Sequence, residues 1–216
     1  MDERSHTRIQ VQYVDGSSRV FCMPFDKNHT MWQMSFPVSD ENEALRIGSF
    51  TPTELKKKAL ELCGGWPSPL PDLIDATTSD YISGHPVYDR DALTEENTDM
   101  LVATQDGKVS RIAFVGDSAH PMSPFKGQGA NQAILDALSL ARSLYSSSLV
   151  KPQGRDVNDA LSFYHQEMRT RSFSKVVKSR DAARYLHSPD ALVFGNITRA
   201  SAAALLAPTL HVTNGT

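Results

Sequence analysis

Cysteine is scarce in this chain. Cys22 and Cys63 are the only two in 216 residues, too few and too far apart for a disulfide framework or a cysteine-ligated zinc site. Both read as free thiols of a reducing compartment, so the expected location is cytoplasmic. Long hydrophobic runs are also missing: the most apolar stretch, residues 202–207, falls far short of the ~20 residues that cross a bilayer. Residues 1–10 lack the apolar core of a secretory signal, and no membrane span is expected. Nor is there an excess of positive charge. Twenty-two Lys and Arg against 25 Asp and Glu give a net charge of -3, which offers no global field to hold a nucleic-acid backbone. Nucleic acid is therefore not an expected partner. With 12 glycines, 12 prolines and no low-complexity tract, the chain is neither fibrous nor disordered.

The segments that are present alternate between strand and helix signals. Residues 8–14 alternate apolar and polar, Asp15-Gly16 interrupts, and residues 19–25 resume; Asp-Gly between two such runs predicts a hairpin. A third run, 29–36, places Met31, Gln33 and Ser35 on one face and Trp32, Met34 and Phe36 on the other. An antiparallel sheet with one apolar face is expected. Thr51-Pro-Thr-Glu54 combines a capping box with Pro at the first helical position, and Leu55, Ala59, Leu62 and Cys63 recur at helical spacing before Gly64-Gly65, predicting an amphipathic helix. Nine acidic residues and a single basic one, Arg90, occupy residues 72–106 and read as a solvated face.

Residues 101–104 and 109–115, separated by Asp106-Gly107, predict a second hairpin, its last strand 111–115 apolar enough to be buried. A helix over 129–146 follows, with Ala133, Ile134, Ala137, Leu140, Ala141 and Leu144 as its apolar stripe. A longer one spans 158–186. In it Met168, Phe173, Val176 and Val177 fall at core spacing, and six cations (Arg169, Arg171, Lys175, Lys178, Arg180, Arg184) predict a charged outer face. A shorter apolar helix to about Leu206 is expected at the end. The expected fold class is α+β.

The chemistry concentrates in residues 116–131, Gly-Asp-Ser-Ala-His-Pro-Met-Ser-Pro-Phe-Lys-Gly-Gln-Gly-Ala-Asn. An apolar strand ends, a glycine lets the backbone turn, and a carboxylate stands where open α/β sheets bind ligands. Gly127 and Gly129 then bring side-chain-free backbone to the start of a helix, where unpaired amides favour negative charge. These features alone name no ligand. The phosphate-binding order Gly-x4-Gly-Lys-Ser/Thr is absent, as is any Gly-x-Gly-x-x-Gly.

The run Arg111-Ile-Ala-Phe-Val-Gly-Asp-Ser-Ala-His-Pro-Met-Ser-Pro-Phe-Lys-Gly-Gln-Gly-Ala-Asn-Gln-Ala-Ile-Leu-Asp-Ala-Leu resembles the second FAD motif of the single-component flavoprotein monooxygenases, the para-hydroxybenzoate hydroxylase family. Weaker similarity extends through 30–35, 70–74, 85–90 and 164–180. The resemblance implies that Asp117 accepts a hydrogen bond from the ribityl chain of FAD and that Gly116 lets the backbone pass close to it. It also implies that Pro124 lies near the isoalloxazine edge, that amides of Gly127, Gly129 and Ala130 face its N1 and C2 carbonyl, and that Asn131 is a further ligand. His120 is expected to pack beside this loop, with an acid/base role as the sharper reading; His85, Tyr88 and Arg90 are candidates for the substrate vicinity. No residue is expected to act as nucleophile or to hold a metal. The implied chemistry is reduction of flavin by NAD(P)H and transfer of hydroxyl from O2 to a small aromatic substrate.

Members of that family begin with a βαβ unit carrying Gly-x-Gly-x-x-Gly, which this sequence lacks. The resemblance therefore implies the back half of the fold: a substrate-domain-like region over 1–104, a partial FAD-binding segment over 105–150 and C-terminal helices over 151–216. Two other readings stand beside the enzyme: a non-catalytic remnant or interaction module that no longer retains FAD, and a truncated gene model. With the parallel neighbours of strand 111–115 missing, apolar surface is left open, and a homodimer or a partner chain is expected to cover it. Light scattering should give a mass above that of one chain; a stable, well-behaved monomer would contradict this expectation.

Overall fold

The computed structural model describes residues 10–102, 111–148 and 156–193. Strands β1 (Val11–Val14), β2 (Arg19–Pro24) and β3 (Thr30–Ser35) form an antiparallel sheet in the order β1-β2-β3. The first turn forms as Asp-Gly predicts. Gly16 takes φ 90°, and the Asp15 carboxylate accepts from the amides of Ser17 and Ser18 at 2.8 and 2.5 Å. Pairing of Val20 with Met34 and Cys22 with Trp32 puts these four on one face, where they enclose Leu70. This is the face expected to be apolar. The other face is not simply solvated, because Arg19, Phe21 and Ser35 there meet the turn around Phe125 and the last helix.

Among the described residues six α-helices follow: α1 (Glu41–Gly48), α2 (Pro52–Cys63), α3 (Leu70–Ala76), α4 (Glu95–Val102), α5 (Gly129–Ser148) and α6 (Val157–Leu186). The capping box of α2 is complete: the Glu54 amide donates to Thr51 Oγ1, and the Thr51 amide donates to the Glu54 carboxylate at 2.7 Å. Ala59 and Cys63 on its inner face pack with Ile74 of α3, and Trp32, Met34 and Trp66 make this cluster continuous with the sheet core. Helix α1 carries its own start signal, Asp40 accepting from the Glu43 amide at 2.9 Å. Sequence reasoning passed over it because none of its residues is buried. The class is α+β, and no helix among the described residues is long and apolar enough to cross a membrane.

Several expectations are corrected. Residues 101–102 close α4 instead of opening a strand, Asp106-Gly107 lies outside the described residues, and residues 111–115 join no sheet. The backbone at Val115 is extended (φ -135°, ψ 148°), but a strand exists by pairing and none lies alongside among the described residues. Ile112 and Val115 are consequently 44% and 43% exposed. Helix α5 has the expected bounds and a different orientation. Its buried positions are Gln132 and Asp136, whereas Ile134, Ala137 and Ala141 of the predicted stripe are exposed. In α6, Met168 and Val176 are buried as expected, but Phe173 and Val177 are exposed, and Arg171 and Arg180 of the predicted outer face are drawn into ion pairs. The acidic stretch is likewise partly paired, with Asp75 on Lys56 and with Asp89 and Asp91 on Arg180. The expected helix to Leu206 falls outside the described residues.

The α2 cap generates a prediction. The amide and hydroxyl of Thr51 hold the Glu54 carboxyl below its usual range, so the box stabilises the fold above the unfolded carboxyl pKa and is lost as pH falls through the lowered folded value. Thr51→Ala should destabilise by about 1 kcal/mol at neutral pH in urea unfolding. Its deficit against wild type should shrink on acidification.

A buried carboxylate under an exposed motif turn

The turn Gly116–Ser118 follows directly from the unpaired extended segment. Gly116 takes φ +58°, a conformation L side chains rarely adopt, and a Cβ there would stand 3.3 Å from that of Ala133 on α5. The amides of Ala119 and His120 close the turn on the Gly116 carbonyl at 2.9 and 3.0 Å. Beneath it lies Asp136, fully buried. One of its oxygens accepts from the Gly116 amide at 2.7 Å and meets His120 Nε2 at 2.6 Å; the other accepts from Arg171 Nη2 at 2.8 Å. Arg171 also donates to Gln132 Oε1 and to Glu167, each at 2.9 Å.

Helix α6 further pins the segment before the turn. Tyr164 Oη donates to the Phe114 carbonyl at 2.7 Å, and the Phe114 amide donates to His165 Nε2 at 3.4 Å. These surroundings displace titrations as well. The Arg171 hydrogen bond holds the Glu167 carboxyl below its ordinary range, and burial, reinforced by the negative charge of Asp136, raises the Tyr164 phenol well above its own.

Above this buried layer the motif faces outward. Asp117, Pro124, Gly127, Ala130 and Asn131 are exposed, and Gly129 is half-buried. The turn Pro124–Lys126 ends at Gly127, whose φ is +60° and around whose missing Cβ no atom lies within 4 Å. That open shelf leads straight into α5, whose first amides have no partner within the helix. The Asn131 side chain reaches back to the Gly127 carbonyl at 3.5 Å. Gly116, in contrast, is buried in its turn. His120 is fully buried as well, with Nε2 on Asp136 and Nδ1 without a hydrogen-bond partner. It is a post beneath the turn.

The remaining candidates separate. His85 and Tyr88 line a cavity of about 900 Å³ between the sheet and the helices, together with Trp32, Met34, Phe36, Ile82, Phe125, Arg180 and His187. Residues 82–89 form one continuous wall of it. That wall is fastened by Arg180, which binds Asp89 and Asp91 at 2.9 and 2.6 Å and is held protonated by them. Arg90 does not line the cavity; it donates to the Ser118 carbonyl at 2.7 Å and so ties the same segment to the motif turn. Sequence reasoning missed Asp136, Arg171 and His187. The available signal was a lone carboxylate in the apolar run 133–138, a position that requires a buried counter-charge.

A family model described as FAD binding domain matches residues 11–179. The chain belongs to the FAD binding domain family. Among curated relatives, chloroplastic zeaxanthin epoxidase from an Oncidium hybrid cultivar is 35% identical over 127 residues, 57% of this chain and 18% of that protein. The 6-methylsalicylate 1-monooxygenase of Aspergillus terreus is 38% identical over 91 residues, 41% of this chain and 19% of that protein. Among solved structures, PqsL of Pseudomonas aeruginosa in complex with 2-aminobenzoylacetate superposes with a TM-score of 0.53 at 23% identity, covering 82% of this chain and 44% of that one. The chain thus spans under a fifth of these curated relatives and under half of the solved protein. As a member of the FAD binding domain family, it presents groups that fit the cofactor: a side-chain-free shelf at Gly127, the start of α5, where the first amides lack partners within the helix, and an exposed carboxylate at Asp117 able to accept hydrogen bonds.

Removal of the Asp136 carboxylate should strand Arg171 and the Gly116 amide. Asp136→Ala is expected to lower the unfolding free energy in urea by about 3–5 kcal/mol. Glu167→Gln tests a second point. Because the folded carboxyl of Glu167 is depressed, its contribution is present above the unfolded value, about pH 4, and disappears as pH falls through the folded one. The variant should therefore show a shallower acid loss of stability than wild type.

Proposed function

We propose that this protein is an FAD-dependent monooxygenase that hydroxylates a small aromatic substrate, with NAD(P)H as reductant. The observation that carries the reading is a shared wall: the Pro124–Lys126 turn lends Phe125 to the cavity and ends at the Gly127 shelf. A planar ligand in the cavity and a cofactor on the shelf would then meet across one turn. The named activity of the methylsalicylate-oxidising relative supports an aromatic substrate.

In this reading Asp117 holds the ribityl chain by accepting hydroxyl hydrogen bonds, and Gly116 lets the backbone pass close to it. Pro124 borders the flavin ring; Gly127, whose own amide closes the turn on Pro124, leaves room for the ring, the amides of Gly129 and Ala130 face the position where reduction places negative charge, and Asn131 is a further ligand. Bound FAD would supply electron acceptance from NAD(P)H and activation of O2. The protein's own part is to exclude water with Trp32, Met34 and Phe36 and to orient polar groups of the substrate with His85 and Tyr88. The competing reading, an interaction module, is favoured by one observation, the exposed apolar residues Ile112, Val115, Ile134 and Leu138, which a second copy or a partner chain would cover.

Titration with FAD, followed by flavin fluorescence and the visible spectrum, separates the two. Saturable binding is expected, and Asp117→Ala should weaken it by about tenfold to a hundredfold, since ~1.4 kcal/mol is a factor of ten. The melting temperature of the variant without ligand should match wild type, because Asp117 is exposed. A colourless protein that ignores added FAD would leave the interaction module standing.

A further inference from the structure

His187 ends α6 and touches three parts of the molecule. Its Nδ1 lies 2.6 Å from the Ala183 carbonyl, which can only accept, so Nδ1 carries the hydrogen. Its Nε2 is hydrogen-bonded to the Ser35 hydroxyl of β3 at 2.9 Å. With both nitrogens engaged the ring cannot rotate, and its position is set jointly by helix and sheet. Against it stands the Phe125 ring, edge-to-face at 78° and 5.1 Å between centroids, a favoured aromatic geometry. Phe125 is also covered by the Arg19 guanidinium, 5.3 Å from the ring centre and 5.2 Å from that of Phe21, within cation–π range. Arg19 is itself braced by Gln12 at 2.8 Å.

The Pro124–Lys126 turn is attached to α6 and its cap by the Ser123 hydroxyl donating to the Ser179 carbonyl at 2.7 Å and by Phe125 against His187. The first lies before the turn and the second in its middle, one residue short of the Lys126-Gly127 exit. Ser35, Phe125 and His187 all line the cavity.

We infer that His187 is a positioning residue: it holds Phe125, and through that ring the Pro124–Lys126 turn, in the setting that gives the aromatic-ligand cavity its wall. The inference rests on the proposed function for the nature of the ligand, but not for the hold on the turn. Two measurements on protein without cofactor separate these parts. Salicylate affinity is measured by calorimetry, and hydrogen exchange is followed in the peptide containing the Gly127 amide, which donates to the Pro124 carbonyl at 2.9 Å.

Loss of one ring contact and its lock should raise the salicylate Kd of His187→Ala by about tenfold. It should also speed Gly127 exchange by about tenfold through local opening, while α2 amides keep their rates. His187→Gln, which can donate to Ala183 and accept from Ser35 but has no ring to set against Phe125, covers the case in which the alanine variant does not fold and should show the same two losses. If wild type ignores salicylate but Gly127 exchange still rises in the variant, the aromatic-ligand reading fails and the hold on the turn stands. Unchanged exchange and affinity in His187→Ala would overturn the inference. So would a uniform rise in exchange across all helices, the sign of a merely stabilising role.

Discussion

A charge without water dictates the layout around the motif. Asp136 is wholly buried, and an isolated carboxylate in that position would cost far more than a domain can sustain. It is tolerated because Arg171 neutralises it and the Gly116 amide and His120 complete its hydrogen bonding. Those partners come from α6, the motif turn and the loop after it, so satisfying one carboxylate aligns all three against α5. The left-handed Gly116, which any side chain would strain, is the geometric condition for its amide to point inward.

The consequence is a motif with two layers. The buried one is ionic and specific; the outer one, with Asp117, Gly127 and the first turn of α5, is built mostly of backbone and remains accessible. Rigidity beneath and exposure above are what the proposed cofactor site would need to hold a large ligand without rearranging. The cavity beside it follows the same economy. Its outer wall, residues 82–89, has no regular structure and is held by Arg180 at one end of α6 and by the Arg90 contact to Ser118 beyond. Helix α6 therefore contacts both regions, through Arg171 for the turn and through Arg180 and the His187 that caps it for the cavity.

Part of the surface is less settled in itself. Ile112 and Val115 in the unpaired extended segment, and Ile134 and Leu138 on α5, present apolar side chains outward. The extended segment joins no strand among the described residues, and the apolar face of α5 lies open as well. The solved relative, of which the matched part is under half, continues well beyond the region this chain shares.

What the sequence determined by itself was whatever depends on near neighbours. The Asp15-Gly16 hairpin, the Thr51 capping box and the Gly-Asp motif were readable because each is specified within a few residues by turn or cap chemistry. What the tertiary structure alone decided depends on partners far along the chain. Apolar spacing placed the stripe of α5 correctly along the helix but not around it, since the buried face is chosen by the pairing of Asp136 with Arg171, 35 residues away. The run 111–115 has the composition of a buried strand and is none, because hydrogen bonding to a neighbour makes a strand and composition cannot supply one. His187 and Ser35 are 152 residues apart, and only folding brings them to the same ring.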